Sequence, residues 1–212
     1  MKTRDKIILK SLALFNELGE RNVTTNHIAS ALEMSPGNLY YHFSNKQEII
    51  LAIFEGYQNS LQQHFLTPST KNYEIGALRS DFQLMFHAVW DYRFLYFNLT
   101  ELLSQYDELK VAYQSLQNEL VERAIKMVKD LVRQEKLRLN ETEAFELADT
   151  SRMLVAFWLN YKLSQANTSE PQQAWVYQGV EKVIKLFQLH AVGDAKAEFK
   201  QLAQHFNHLA MD

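Results

Sequence analysis

Cysteine is absent from the 212-residue chain, proline occurs three times and glycine six times. The missing thiol excludes cysteine nucleophiles, disulfides and cysteine-based zinc sites, and it fits a reducing compartment. So few prolines and glycines leave little turn punctuation, which favours long helices. Long apolar runs are missing too. The most apolar stretch, FQLMFHAVWDYRFLYFNLTELL, is broken by His87, Asp91, Arg93 and Glu101, whereas a membrane-spanning helix needs roughly 20 predominantly apolar residues. MKTRDKIILKSLALF continues into NELGERN without a small-residue cleavage site, so no secretory leader is expected. A cytoplasmic protein is therefore expected, in which the sequon at Asn22 has no meaning.

Catalytic signatures are also lacking. There is no phosphate-binding loop, no dinucleotide glycine fingerprint and no His-Glu-x-x-His pattern. His205 and His208 lie three apart, but no third ligand is spaced to complete a metal site. The sequence thus predicts a protein that is not an enzyme and uses no metal or cofactor.

What remains is the composition of a folded protein, 47% hydrophobic and 22% charged. Net charge is −3, unevenly spread: residues 1–50 carry +1 and the remainder −4. That contrast alone does not point to nucleic acid.

Helical periodicity runs through the chain and nothing alternates with period two for long, so the fold class is all-α. TRDKIILKSLALFNELG places Ile8, Leu12 and Phe15 on one face, with Gly19 as a stop. A short helix follows in VTTNHIASALEMS, capped by Thr24 or Thr25, with Ile28, Ala29 and Leu32 inward. In SPGNLYYHF, Ser35 is a good N-cap and Pro36 sits at the first helical position. Two short helices joined through Glu33–Ser35 form a helix-turn-helix candidate. Ser44 with Gln47 predicts a capping box for the next helix, over 46–66, and TPSTKN at 67–72 reads as a linker. Helical patterns then cover 73–90, 92–104, 107–137, 141–167, 171–190 and 194–210. Asn140 with Glu143, and Ser169 with Gln172, are further capping-box pairs.

Four consecutive large side chains, Tyr40, Tyr41, His42 and Phe43, cannot all enter one core. Leu39 and Phe43 are four apart and can anchor the helix. Tyr40, Tyr41 and His42 are left facing outward, with tips suited to phosphate and a ring suited to a thymine methyl. In a helix-turn-helix the second helix lies in the major groove, and Gly37 and Asn38 are small enough for close approach. Lys46 adds a positive charge at the start of the following helix.

The segment VTTNHIASALEMSPGNLYYHFSNKQEI, preceded by ILKSLALFNELG, closely resembles the DNA-binding domain of the tetracycline-repressor (TetR) family of bacterial transcriptional regulators. The resemblance covers about residues 4–55. It implies an obligate homodimer whose second domain binds a small molecule and thereby changes the separation of two reading helices. It also implies roles by position: Thr25 and Asn26 touching DNA, Pro36, Gly37, Asn38 and Tyr40 facing bases, and Tyr41, His42 and Lys46 holding phosphates. One position departs from the pattern. Glu33 stands where such proteins commonly have Gly, and a non-Gly residue at positive φ costs about 1 kcal/mol.

The expected division is a DNA-binding domain over 1–47 and an effector-binding and dimerisation domain over 48–212. For the dimer interface, the apolar faces of 141–167 and 171–190 supply Leu154, Trp158, Tyr161, Trp175, Val180, Val183 and Phe187, a pair of helices suited to a four-helix contact. For the effector, an apolar or aromatic small molecule is expected against Phe82, Phe86, His87, Trp90, Phe97, Asn98, Tyr113 and Phe157, with Arg152 as a further polar contact. The C-terminal stripe Phe199, Leu202, Phe206 and Leu209 is expected to pack on its own domain or on the partner subunit. The function expected is a ligand-responsive repressor binding double-stranded operator DNA. Two rivals are a helical carrier of lipids or small molecules without DNA binding, and a transcriptional activator.

Overall fold

A computed structural model of the chain describes residues 1–64, 73–168 and 170–211. The linker TPSTKN at 67–72 and the cap assigned to Ser169 lie outside them. The described residues form eleven α-helices, as the all-α reading expects. They fall into two compact units, one of Met1–Ser60 with Asp91–Gln114, the other of Leu61–Trp90 with Ser115–Asp212.

The first unit opens with α1 (Thr3–Leu18), which ends at Gly19 with φ 80, a left-handed geometry that glycine adopts without strain. Ile7, Ser11 and Phe15 are its buried line. The line is rotated by one residue from the expected Ile8–Leu12–Phe15 face, because a small serine rather than a leucine faces the core. A 3₁₀ turn over Glu20–Asn22 leads to α2 (Thr25–Ala31), α3 (Pro36–His42) and α4 (Lys46–His64). Val23, Ile28, Leu39, Phe43, Ile49, Ile50 and Ile53 are all buried around them.

The 92–104 pattern, read as one helix, is two: α6 (Arg93–Phe97) and α7 (Leu99–Gln105). The break falls at Asn98, whose side-chain amide donates to the Phe94 carbonyl at 3.2 Å. Such local side-chain bonding competes with the helix ladder. Asn16 of α1 holds the entry to α6, donating to the Asp91 carbonyl at 2.7 Å and accepting from the Phe94 N–H at 3.0 Å.

In the second unit lie α5 (Ile75–Asp91) up to Trp90, α8 (Asp107–Arg133) from Ser115, α9 (Glu141–Gln165), α10 (Gln173–Leu189) and α11 (Ala195–Leu209). The capping box of Asn140 and Glu143 opens α9 as expected. Phe82, Val128, Leu131, Ile184, Phe187, Phe199 and Phe206 form a continuous buried cluster. The α11 stripe is thus closed within its own unit. Trp158 of α9 packs against Gly179 of α10 and donates its indole N–H to the Trp175 carbonyl at 2.6 Å. Tyr73 fastens the approach to α5. Its hydroxyl donates to Asp81, its N–H to Asp130 Oδ2 at 3.3 Å, and its carbonyl accepts from Gln134 Nε2 at 2.6 Å. Among the described residues an antiparallel bridge joins Leu137 to Ala191, with Arg138 N–H to His190 O at 2.9 Å and Val192 N–H to Lys136 O at 3.0 Å.

Candidate nucleic-acid interface

The reading helix is set by local chemistry at both ends. Ser35 Oγ accepts the Asn38 N–H at 3.2 Å, and Pro36 occupies the first turn, where no N–H is missed. Leu39 and Phe43 are buried to 0% and 2% exposure and fix the inward face. Pro36, Gly37 and Asn38 are exposed, Tyr40 is 48% exposed, Tyr41 is 85% exposed and His42 is half-buried. The Tyr41 and His42 rings meet edge to face at 5.1 Å. A methyl group placed on Gly37 would meet nothing of the chain within 4 Å. No internal packing therefore calls for glycine there.

Ahead of α3, α2 begins with a full capping box between Thr24 and His27. Thr25, in its first turn, is bonded through its hydroxyl to the Tyr40 hydroxyl at 3.0 Å. Two residues assigned to the interface thus brace one another across the two helices, and Asn26 is exposed beside them. Between the helices Glu33 takes φ 54, the left-handed geometry expected for that turn. Exposed Lys2, Arg4 and Lys6 flank the start of α1, and the Arg4 guanidinium lies 4.9 Å from the centre of the Phe43 ring. Arg4 escaped the sequence reading because nothing in its neighbourhood marks it as a partner of Phe43.

Two expectations need correction. The cap of α4 lies one residue later than Ser44–Gln47. Asn45 Oδ1 accepts the Glu48 N–H at 3.0 Å, while the Glu48 carboxylate accepts the Ser44 N–H at 2.8 Å. Lys46 does not hold a free ammonium toward DNA. Its Nζ lies 2.6 Å from the Glu20 carboxylate and donates to the Glu20 and Val23 carbonyls at 3.0 and 3.1 Å.

The residues assigned to the effector are divided between the two units. Tyr113 lines a narrow apolar cavity in the first unit with Phe54, Tyr57, Leu95, Tyr96, Leu99 and Leu102. There the Tyr57 and Tyr96 hydroxyls pair at 2.7 Å, and burial keeps both phenols neutral by raising their pKa values. Phe97 and Asn98 belong to the same unit and are half-buried. Phe86 lines a different cavity in the second unit with Val89, Val155, Trp158, Leu159 and Val176. Its ring stacks on Tyr177 at 3.8 Å. Phe82 is core, Trp90 is half-buried, and His87 and Phe157 are exposed. Arg152 is paired with Asp149 at 2.6 Å.

The dimer assignment divides by burial. Trp175, Val180, Val183 and Phe187 are closed inside the chain at 2–4% exposure, so they cannot present a face to a partner. Leu154 and Trp158 are half-buried. Tyr161 is 57% exposed, and the sequence reading missed its companions on α9, Phe145 and Met153, at 52% and 56%. Amphipathic spacing alone does not tell which apolar face of a buried helix remains uncovered. Among the described residues no cluster could hold a metal ion, and no helix is long and apolar enough to cross a membrane.

A capped, outward-facing α3 seated on α2 defines a helix-turn-helix DNA-binding protein. Residues 7–53 match the family described as bacterial regulatory proteins of the tetR family, and residues 56–199 match the family described as bacterial transcriptional repressor. The structure is similar to that of a TetR-family transcriptional regulator from Marinobacter aquaeolei VT8, with a TM-score of 0.89 and 30% identity over 97% of this chain and 99% of that one. The biofilm operon icaADBC negative regulator IcaR of Staphylococcus epidermidis is 30% identical over 117 residues, 55% of this chain and 58% of that protein. The structure of AibR with isovaleryl coenzyme A and operator DNA shares the fold, with a TM-score of 0.64 at 15% identity over 88% of this chain and 98% of that one. The chain belongs to the TetR family of bacterial transcriptional regulators, which are DNA-binding proteins and not enzymes.

Proposed function

We propose that the protein is a cytoplasmic, homodimeric repressor that binds a pseudo-palindromic operator and leaves it when a small apolar or aromatic effector binds. Residues 1–47 read DNA and 48–212 hold the effector and dimer surfaces. Pro36, Gly37, Asn38 and Tyr40 face base edges, with Thr25, Asn26, Tyr41 and His42 at the sugar and phosphate. Two copies of α3 enter successive major grooves about 34–36 Å apart or somewhat more. The observation that carries this reading is the divided face of α3. Leu39 and Phe43 are locked inward while Gly37, Asn38, Tyr40 and Tyr41 stand in solvent.

The cavity lined by Tyr57, Tyr96 and Tyr113 is the proposed effector site, because α4, which follows the reading helix, supplies part of its wall. Its free volume is about 20 Å³, the space of one water molecule. An effector must therefore displace side chains to enter, and this couples binding to a change of conformation. The effector must bind the DNA-incompetent form more tightly than the competent one. Exposed Phe145, Met153, Phe157 and Tyr161 on α9 are the proposed dimer surface.

Fluorescence anisotropy against duplex DNA from upstream of the protein's own gene, over a salt series with random duplex as control, tests the reading. Tight, sequence-dependent binding that weakens steeply with salt is expected, since each phosphate contact releases a counterion. Tyr41→Ala should weaken binding by about tenfold with no loss of thermal stability, because its ring is exposed. Salt-independent binding, or none to any duplex recovered from a random pool, would refute the role in DNA recognition.

A further inference from the structure

We propose that Glu20 and Lys46 form an inward positioning pair that holds the corner between α3 and α4 on the 3₁₀ turn, so that Glu20 sets DNA affinity without touching DNA. The proposal rests on the DNA-reading role of α3. An ammonium has three hydrogens, and Lys46 has three acceptors within reach: the Glu20 carboxylate at 2.6 Å, the Glu20 carbonyl at 3.0 Å and the Val23 carbonyl at 3.1 Å. A phosphate contact by the same nitrogen would have to break one of these bonds.

The pair is not a surface coincidence. The Glu20 side chain is only 4% exposed and that of Lys46 24%. A carboxylate closed off to that degree is strongly unfavourable without its partner. Its placement gives the pair leverage. Lys46 opens α4 three residues after Phe43, the last inward anchor of the reading helix, while Glu20 and Val23 bracket the turn that joins α1 to α2. The same turn reaches the other way. Arg21 pairs with Glu101 of α7. Within the first unit, one 3₁₀ turn therefore grips the exit of the reading helix on one side and α7 on the other.

The test uses four full-length proteins: the unmodified chain, Glu20→Gln, Lys46→Met and the double variant Glu20→Gln/Lys46→Met. Each is titrated over a salt series with one duplex that the unmodified protein selects from a random pool. Glu20→Gln and Lys46→Met should each weaken binding on the order of tenfold while leaving the salt slope unchanged. The double variant removes both charges together, leaves no unpaired buried ion and should recover most of the affinity. If Lys46 instead binds phosphate, Lys46→Met will lower the slope by about 1.8 for a dimer, at about 0.9 per contact. A slope that falls in this way, or unchanged affinity in Glu20→Gln, overturns the proposal.

Thermal unfolding of the same proteins reads the pair without DNA. Each single variant should lower Tm by about 5–10 °C, and the double variant by less than the sum. Additive shifts would also overturn the pair. Failure of the unmodified protein to select any duplex would sink the DNA-binding role, and the unfolding cycle would still decide whether the two residues act together.

Discussion

Gly37 and Gly179 look alike in the sequence and respond oppositely to an added methyl group. At Gly37 a Cβ meets nothing within 4 Å, whereas at Gly179 it would lie 2.6 Å from Trp158 Cδ1. The indole cannot simply swing aside, because its N–H is bonded to the Trp175 carbonyl. Gly179→Ala should therefore destabilise the protein by about 1–3 kcal/mol through overpacking. Gly37→Ala should leave stability unchanged or raise it by up to ~1 kcal/mol through better helix propensity. Yet Gly37→Ala should weaken DNA binding under the proposed docking, in which the duplex approaches α3 closely at Gly37. Chemical denaturation of both variants, with anisotropy for the first, checks the contrast. If Gly37→Ala binds as tightly as the parent, the α3 backbone does not approach the bases at that point.

Among the helices, those legible in the sequence are those whose ends are written locally. Thr24, Ser35 and Asn140 cap α2, α3 and α9 as their residue types require. The reading was less accurate where two caps compete, as with Ser44 and Asn45. It also failed where a helix breaks without Gly or Pro, as at Asn98. The inward Lys46 was illegible for a different reason: its partners lie 23 and 26 residues upstream, and spacing carries no trace of such a contact. The approach to α5 is held by another long-range set, in which Tyr73 bonds Asp81 and Asp130. Burial raises the Asp81 carboxyl above its ordinary value, against the opposing pull of the Tyr73 hydroxyl and the Arg123 charge. The folded state thus holds that proton more tightly than the unfolded chain. The resulting stability is fully present below the ordinary aspartate range and is lost as pH rises through the folded value. Asp81→Asn keeps an acceptor for Tyr73 and removes this titration. Relative to Asp81→Asn, the parent should lose stability as pH rises above the ordinary aspartate range, as measured by unfolding at each pH. A pH-independent difference would mean that folding leaves the Asp81 pKa unshifted.

At the scale of the whole molecule, the sequence showed which helices are apolar but not which apolar faces the chain covers by itself. Trp175, Val180, Val183 and Phe187 are satisfied internally, which leaves α9 with Phe145, Met153, Phe157 and Tyr161 uncovered. A second copy of the chain is the proposed cover. Placing charge there, as in Met153→Glu/Phe157→Glu, should shift the protein from dimer to monomer in light scattering. Operator affinity should then fall by at least about a hundredfold, because the second half-site loses its effective concentration. A double variant that remains dimeric would move the interface elsewhere. The bridge between Leu137 and Ala191 bears on the same helices. Helix ends ordinarily fray outward one turn at a time. Here the stretch after α8 and the stretch after α10 are knotted to each other by two backbone bonds. The bridge closes the chain between Leu137 and Ala191 into a loop that contains α9 and α10, and unravelling that starts at α11 meets a latch before it can reach them.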